Sequence, residues 1–167
     1  FDYLAEGQTL VLTYTVTATD DNSAPLTGVD SETVTITITG SNDSPVISLL
    51  SQDSESASLT ETNASLSATG TLSVSDVDRA DTVSASVVSV VYAGATTGLQ
   101  SDNAALLAML STNTSIISST TTSGTLNWSF NSGNEHFNHL ASGEQLVLTY
   151  TVRALDSHTG QADKTVV

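Results

Sequence analysis

"LVLTYTV", residues 10–16, returns unchanged at residues 146–152. Its apolar side chains fall at every second position. Leu10, Leu12, Tyr14, Val16 and Ala18 point one way and Thr13, Thr15 and Thr17 the other, which is the period of a half-buried strand. The identity spreads outward: "FDYLAEGQTLVLTYTV" (1–16) and "FNHLASGEQLVLTYTV" (137–152) agree at eleven of sixteen positions. Beyond it, "TATDDN" is answered by "RALDSH" and "ETVTI" by the final "KTVV". The period of about 132–136 residues is that of a domain and too long for a solenoid unit. The chain therefore divides into 1–44, the last strands of one repeat with a linker, and 45–167, most of the next. The second copy stops where "TITITGSND" is expected.

The remaining strands carry the same alternation. "TVTITIT" (33–39), "GTLSVSD" and "DTVSASVVSVVYA" are strands. "GTLNWSFN" sets Leu126, Trp128 and Phe130 on one face and Asn127, Ser129 and Asn131 on the other. One segment departs: "SDNAALLAMLS" (101–111) has Leu106, Leu107 and Leu110 at helical spacing behind Ser101 or Asp102 as a cap, predicting a short helix. Many short strands joined by polar turns predict an all-β fold, an antiparallel cadherin- or immunoglobulin-like sandwich with one short helix.

Composition narrows the partners. The 167 residues hold 3 Lys and Arg against 18 Asp and Glu, a net charge of −15. Such a chain does not bind nucleic acid or an anionic membrane, and its counterions are cations. No apolar run is long enough to insert into a membrane. There is no cysteine, so a small extracellular domain needs another staple, and metal ions are one. An apolar share of 38% is too high for a disordered Ser/Thr-rich stalk. The first residue, Phe1, with no basic leader before an apolar run, reads as a piece of a longer chain.

Four stretches together, "GTLSVSDVDRADT", "ALLAMLS", "GTLNWSFNSGNEHFNHLASGEQLVLTYTV" and "TVTITITGSNDSPVI", are similar to the VCBS repeats of giant bacterial adhesins of the RTX type. The resemblance covers the whole chain. It implies a cadherin-like extracellular module, at the bacterial surface or secreted. It implies tandem arrays in which neighbouring repeats of the same chain are the partners, with Ca2+ at or near the junctions. "DVD" matches the DxD pattern of cadherin-like modules, and "SNDSP" resembles their NDxP linker. One departure is that Asp21 has no acidic counterpart at Ser157.

Strand directions sort the acids. If the linker Asn42–Pro45 is the top of the second repeat, the first strand runs down to "LTETN" and leaves Glu61 at the bottom. The strand "SLSATGTLSVSD" then runs up and delivers Asp76, Asp78 and Asp81 to the top, as "EQLVLTYTVRALD" delivers Asp156. Asp2 and Glu6 of the preceding unit lie near its exit into the same linker. Calcium takes six to eight oxygens in loose geometry, supplied by carboxylates, Asn carbonyls and backbone. Zinc would ask for His or Cys in a tetrahedron. The expected ligands are Glu6, Asn42, Asp43, Asp76, Asp78 and Asp156, with Asp2, Asp81, Asp20, Asp21 and Glu61 as a second set.

The leading reading is a calcium-stabilised structural extender repeat that spaces adhesive domains from the cell, for cell adhesion and biofilm formation. The alternative is a module that itself binds a glycan or cell surface; an aromatic share of 5% argues against it. No nucleophile elbow or ordered triad supports catalysis. His136 and His139, three apart, could form a zinc pair, but His139 aligns with Tyr3 of the other copy and His136 sits in a polar turn, so both read as structural; the Thr ladders read as the wet face of strands. Finally, a lone two-stranded hairpin is marginal in water. Residues 33–39 are therefore expected to pair with a neighbouring sheet, by folding back within the chain or by strand exchange between two chains.

Overall fold

In the computed structural model, which describes residues 1–21 and 28–167, the first element is the hairpin read above. Strand β1 (Thr9–Thr19) pairs antiparallel with β2 (Val29–Thr39) from Thr9↔Thr39 to Thr19↔Val29. The chain then builds β3 (Val46–Ser48), β4 (Ser67–Ser75), β5 (Val83–Gly94), α1 (Asn103–Ala108), β6 (Leu110–Thr112), β7 (Ser115–Ile117), β8 (Ser123–Asn131), β9 (Leu146–Asp156) and β10 (Gln161–Val166). Two four-stranded antiparallel sheets result, ordered β10-β9-β5-β7 and β3-β4-β8-β6, with the hairpin as a third sheet of its own. The all-β sandwich with one short helix is as expected. Among the described residues no helix is long and apolar enough to cross a membrane.

The period-2 pattern explains which faces meet. From β8 come Leu126 and Trp128, from β4 Leu72 and Val74, and from β9 Tyr150, Val152 and Ala154, all buried between the sheets. Burial of a side chain such as Leu72 or Leu126 contributes about 1.5–3 kcal/mol. Gly70 lies in register with Trp128, and a Cβ there would fall inside contact distance of the indole ring. The indole Nε1 donates to the Ser54 carbonyl at 2.7 Å, satisfying its buried polar edge. Helix α1 starts at Asp102, whose carboxylate accepts from Ala105 N at 2.8 Å, and it inserts Leu106 into the core.

Two expectations about strands are corrected. The first strand does not run on to "LTETN"; β3 is three residues long. Asp53 ends it by taking the place of a strand partner. One carboxylate oxygen accepts from Leu50 N (2.9 Å) and Ser73 N (3.0 Å), and the other from Thr71 Oγ1 (2.8 Å). Residues 33–39 do not fold back onto the sandwich either. They pair with β1, because Gly40 N is held by the Gln8 carbonyl at 2.8 Å and the chain leaves the hairpin directly into the linker. Val16, Val34, Ile36 and Tyr14 on that hairpin are left exposed.

Candidate metal centre

Strand directions bring the acids to one end of the sandwich, as the alternation demands. Strand β4 ends at Ser75, opposite Val46 of β3, and delivers Asp76. Strand β9 ends on Asp156. The turn "DVDRAD" closes on itself: Asp76 Oδ1 accepts from Asp78 N at 3.1 Å, and Asp81 N donates to the Asp78 carbonyl at 3.2 Å. Such local acceptor turns are the habit of Asp. Asp156 makes the same kind of turn, its Oδ1 accepting from His158 N (2.7 Å) and Gly160 N (2.8 Å). Only glycine suits position 160, because a Cβ would run into the Asp156 carboxylate.

Asp76, Asp81 and Asp156 each present one carboxylate oxygen, and these oxygens lie within 4.8 Å of one another. All three are buried, as is Asp78. Among the described residues, Asp76 Oδ2, Asp78 Oδ1 and Asn42 Oδ1 are buried oxygens with no hydrogen-bond donor. Burial first, then repulsion from Asp78, Asp81 and Asp156, pushes the Asp76 carboxyl above its ordinary pKa. Burial does the same to Asp78, reinforced by the charges of Asp81, Asp43 and Asp156. Clustered, desolvated acids with orphaned oxygens form a cage whose own balance favours an added cation.

The chain supplies little positive charge to this cage. Of its three basic residues, Arg153 is clamped by Asp163 at 2.6 and 2.7 Å. Lys164 pairs with Glu55, and Arg79 lies over the Tyr3 ring at 5.6 Å. Among the described residues, the base that reaches the cluster is His158, whose Nδ1 is 2.9 Å from Asp81 Oδ1. The Asp81 hydrogen bond raises its pKa, helped by the charges of Asp81, Glu6 and Asp156.

The linker closes the same end. Asn42 Nδ2 donates to Asp156 Oδ2 at 3.1 Å, and Asp43 N donates to Asp78 Oδ2 at 2.8 Å. From the preceding unit, the Tyr3 carbonyl accepts from Arg79 N at 3.3 Å. Of the expected ligands, Asp76 and Asp156 join the triad and Asp78 and Asn42 border it. The Asp43, Glu6 and Asp2 side chains are exposed. Asp81, from the second set, proves central.

Three expected ligands are elsewhere. Asp20 and Asp21 sit at the far end of β1, about 35 Å away along eleven residues of strand. Glu61 lines the same groove as Ser142–Leu146, which opens at the start of β9 and so at the opposite end. His158 escaped the sequence reading, since its contact with Asp81 joins positions 77 apart. The signal available was the shared "RALDSH" position, where a base replaces Asn22. His139 sits with Nε2 3.1 Å from the Ala95 carbonyl, a structural contact.

The chain matches no protein-family model and no curated protein sequence.

Proposed function

We propose that this chain is a calcium-stabilised structural extender repeat of a bacterial surface adhesin, exported from the cell and spacing adhesive domains from it for cell adhesion and biofilm formation. The observation that carries the reading is the buried triad Asp76, Asp81 and Asp156, set where the linker Asn42–Pro45 enters. Its donors are all oxygens, which suits a hard cation and not zinc. Asp78 and Asn42 add further oxygens at the edge. A bound ion would cancel the repulsion that raises the Asp76 and Asp78 carboxyls. It would also tie the linker to two turns of the sandwich and so stiffen the joint. Similarity to VCBS repeats in the quoted motifs supplies the adhesin context.

Calorimetric titration with calcium, with thermal melts in parallel, tests the reading. A ligand held only by the folded state adds about 2.7 kcal/mol at a hundred times its Kd. The expected result is a clear rise in Tm with millimolar calcium and a much smaller one with magnesium, which tolerates only near-octahedral sites. Equal shifts for both ions, or none, would remove the reading.

A further inference from the structure

Three of the buried acids at the linker end have one oxygen occupied and one left over. Asp76 Oδ1 accepts from Asp78 N, and its Oδ2 has no donor. Asp78 Oδ2 accepts from Asp43 N, and its Oδ1 has no donor. Asp81 follows the same rule with a different kind of donor. Its Oδ2 is hydrogen-bonded to His158 Nδ1 at 3.1 Å. Its Oδ1, 2.9 Å from the same nitrogen, is buried without a hydrogen bond. A carboxylate only accepts, so the proton of this bond sits on Nδ1. Asp76 and Asp78 are held by backbone N–H groups, Asp81 by a side chain. Among the described residues no other donor reaches the Asp81 carboxylate.

His158 is itself fixed in place. Its backbone N donates to Asp156 Oδ1 at 2.7 Å, in the turn that Gly160 N closes on the same oxygen. One residue thus holds two members of the triad, Asp156 through its backbone and Asp81 through its ring. These acids come from separate elements, the end of β9 and the turn before β5. The other copy of the repeat keeps the donor without the ring: "TATDDN" has Asn22 where "RALDSH" has His158. Asn Nδ2 and His Nδ1 stand the same number of bonds from Cα, and both donate. What the two sequences share is a δ-nitrogen donor two residues after an aspartate. They do not share a base.

We propose that His158 is a positioning residue of the cation site: its Nδ1–H occupies Asp81 Oδ2, ties Asp81 to the Asp156 turn, and leaves Asp81 Oδ1 for the ion. The role rests on the calcium site proposed above. It belongs to the hydrogen bond and not to charge. A positive charge beside the cage competes with the ion, whereas a fixed donor orients a ligand and is part of what the ligand owes its affinity to. The ring itself makes no bond to the ion.

Calorimetric titration with calcium of the parent chain, His158→Asn, His158→Ala and His158→Gln tests this. His158→Asn keeps a donor at the same place without the ring, and should bind calcium nearly as the parent does. His158→Ala should bind at least about tenfold more weakly, the usual cost of removing the partner that orients a metal ligand. His158→Gln carries its amide one bond too far and should fall with His158→Ala, for which it stands in if that variant does not fold. With terbium(III) as a luminescent probe, the lifetime should shorten in His158→Ala and not in His158→Asn, as water takes the place of a carboxylate that has turned away. A His158→Ala chain that binds calcium as tightly as the parent, or more tightly because a competing charge is gone, overturns the proposal and leaves the calcium site standing. So does a His158→Asn chain as weak as His158→Ala. A parent chain that binds no calcium removes both.

Discussion

Tyr14 and Tyr150 hold the same place in two copies of one heptapeptide, yet Tyr14 is 51% exposed and Tyr150 3%. Identical local sequence gives identical strand geometry, down to a valine directly opposite each: Val34 and Val166. What differs is the second sheet, present over β9 and lacking over β1. In β9 the phenol Oη donates to the Leu106 carbonyl of α1 at 2.9 Å, and burial pushes its pKa up to about 12.

That contrast predicts opposite sensitivities. Tyr150→Phe should lower stability by about 0.5–1.5 kcal/mol, the net worth of a buried hydrogen bond. Tyr14→Phe should change it by less than about 0.5 kcal/mol. Urea unfolding of the two variants against the parent reads the difference directly.

In the acidic cage, stability without the ion and response to calcium should move in opposite senses. Asp76→Asn removes a carboxylate that burial and its neighbours disfavour, so the calcium-free protein should hold or gain stability. Its calcium affinity should drop at least about tenfold, or 1.4 kcal/mol. Asp102→Ala should do the reverse, costing about 1 kcal/mol as a lost helix cap with calcium affinity unchanged. Glu61→Ala should leave calcium affinity alone, since Glu61 sits at the other end. Melts with chelator and with calcium separate the three.

Glu135 contributes to acid sensitivity away from the cage, as Asp53 and Asp163 do. Burial alone would raise its pKa, but hydrogen bonds from Ser101 Oγ, Phe137 N, Ser101 N and Gln100 N together hold it below the ordinary glutamate value. A carboxyl depressed in the folded state stabilises above its unfolded pKa, and that stability is lost as pH falls through the folded value. The share of stability that Glu135 supplies should therefore fade as pH is lowered through the carboxylate range, against the opposite trend of the raised Asp76 and Asp78 carboxyls in chelated protein. Glu135→Gln should flatten that part of the profile while lowering stability at neutral pH. An unchanged acid limb in the variant would contradict the assignment.

Gly70→Ala places a methyl group against the Trp128 ring. Overpacking of this kind costs about 1–3 kcal/mol, or roughly 2–4 °C of Tm per kcal/mol for a chain of this size. A thermal melt, with near-ultraviolet circular dichroism to follow the indole, checks it.

The long strands were legible because their alternation extends over enough residues to show a period. Leu126 and Trp128 of β8 are buried as that pattern requires, and α1 starts at the anticipated cap. The strand directions also held, and with them the meeting of Asp76 and Asp156. Strands β6 and β7, of three residues each, are too short to carry a period. The early end of β3 rests on Asp53 finding Thr71 and Ser73 across the sheet, a contact no local pattern announces. Asp81 and His158 were under-read for the same reason, since each is defined by a partner distant in sequence. Asp20 matches Asp156 in the repeat, and its N–H even donates to the Gly28 carbonyl as Asp156 N does to Gly160. Likeness of position in the repeat thus does not bring Asp20 to the linker, which lies at the other end of β1.

The placement of β3 and β10 bears on how the molecule carries tension. The chain enters at the acidic end before Val46, while β10 runs from Gln161 beside that end to Val166, opposite Tyr150 midway along β9. Pulling on Ser44 and Val167 therefore drags these two strands lengthwise in opposite senses. The six residue pairs joining β10 to β9, and the bonds from Val167 to Glu55 and Ala57, lie crosswise to that pull. They are strained together in shear, and none can be peeled off singly from an end. A filament of such units would hold its length under flow until whole ladders gave way at once.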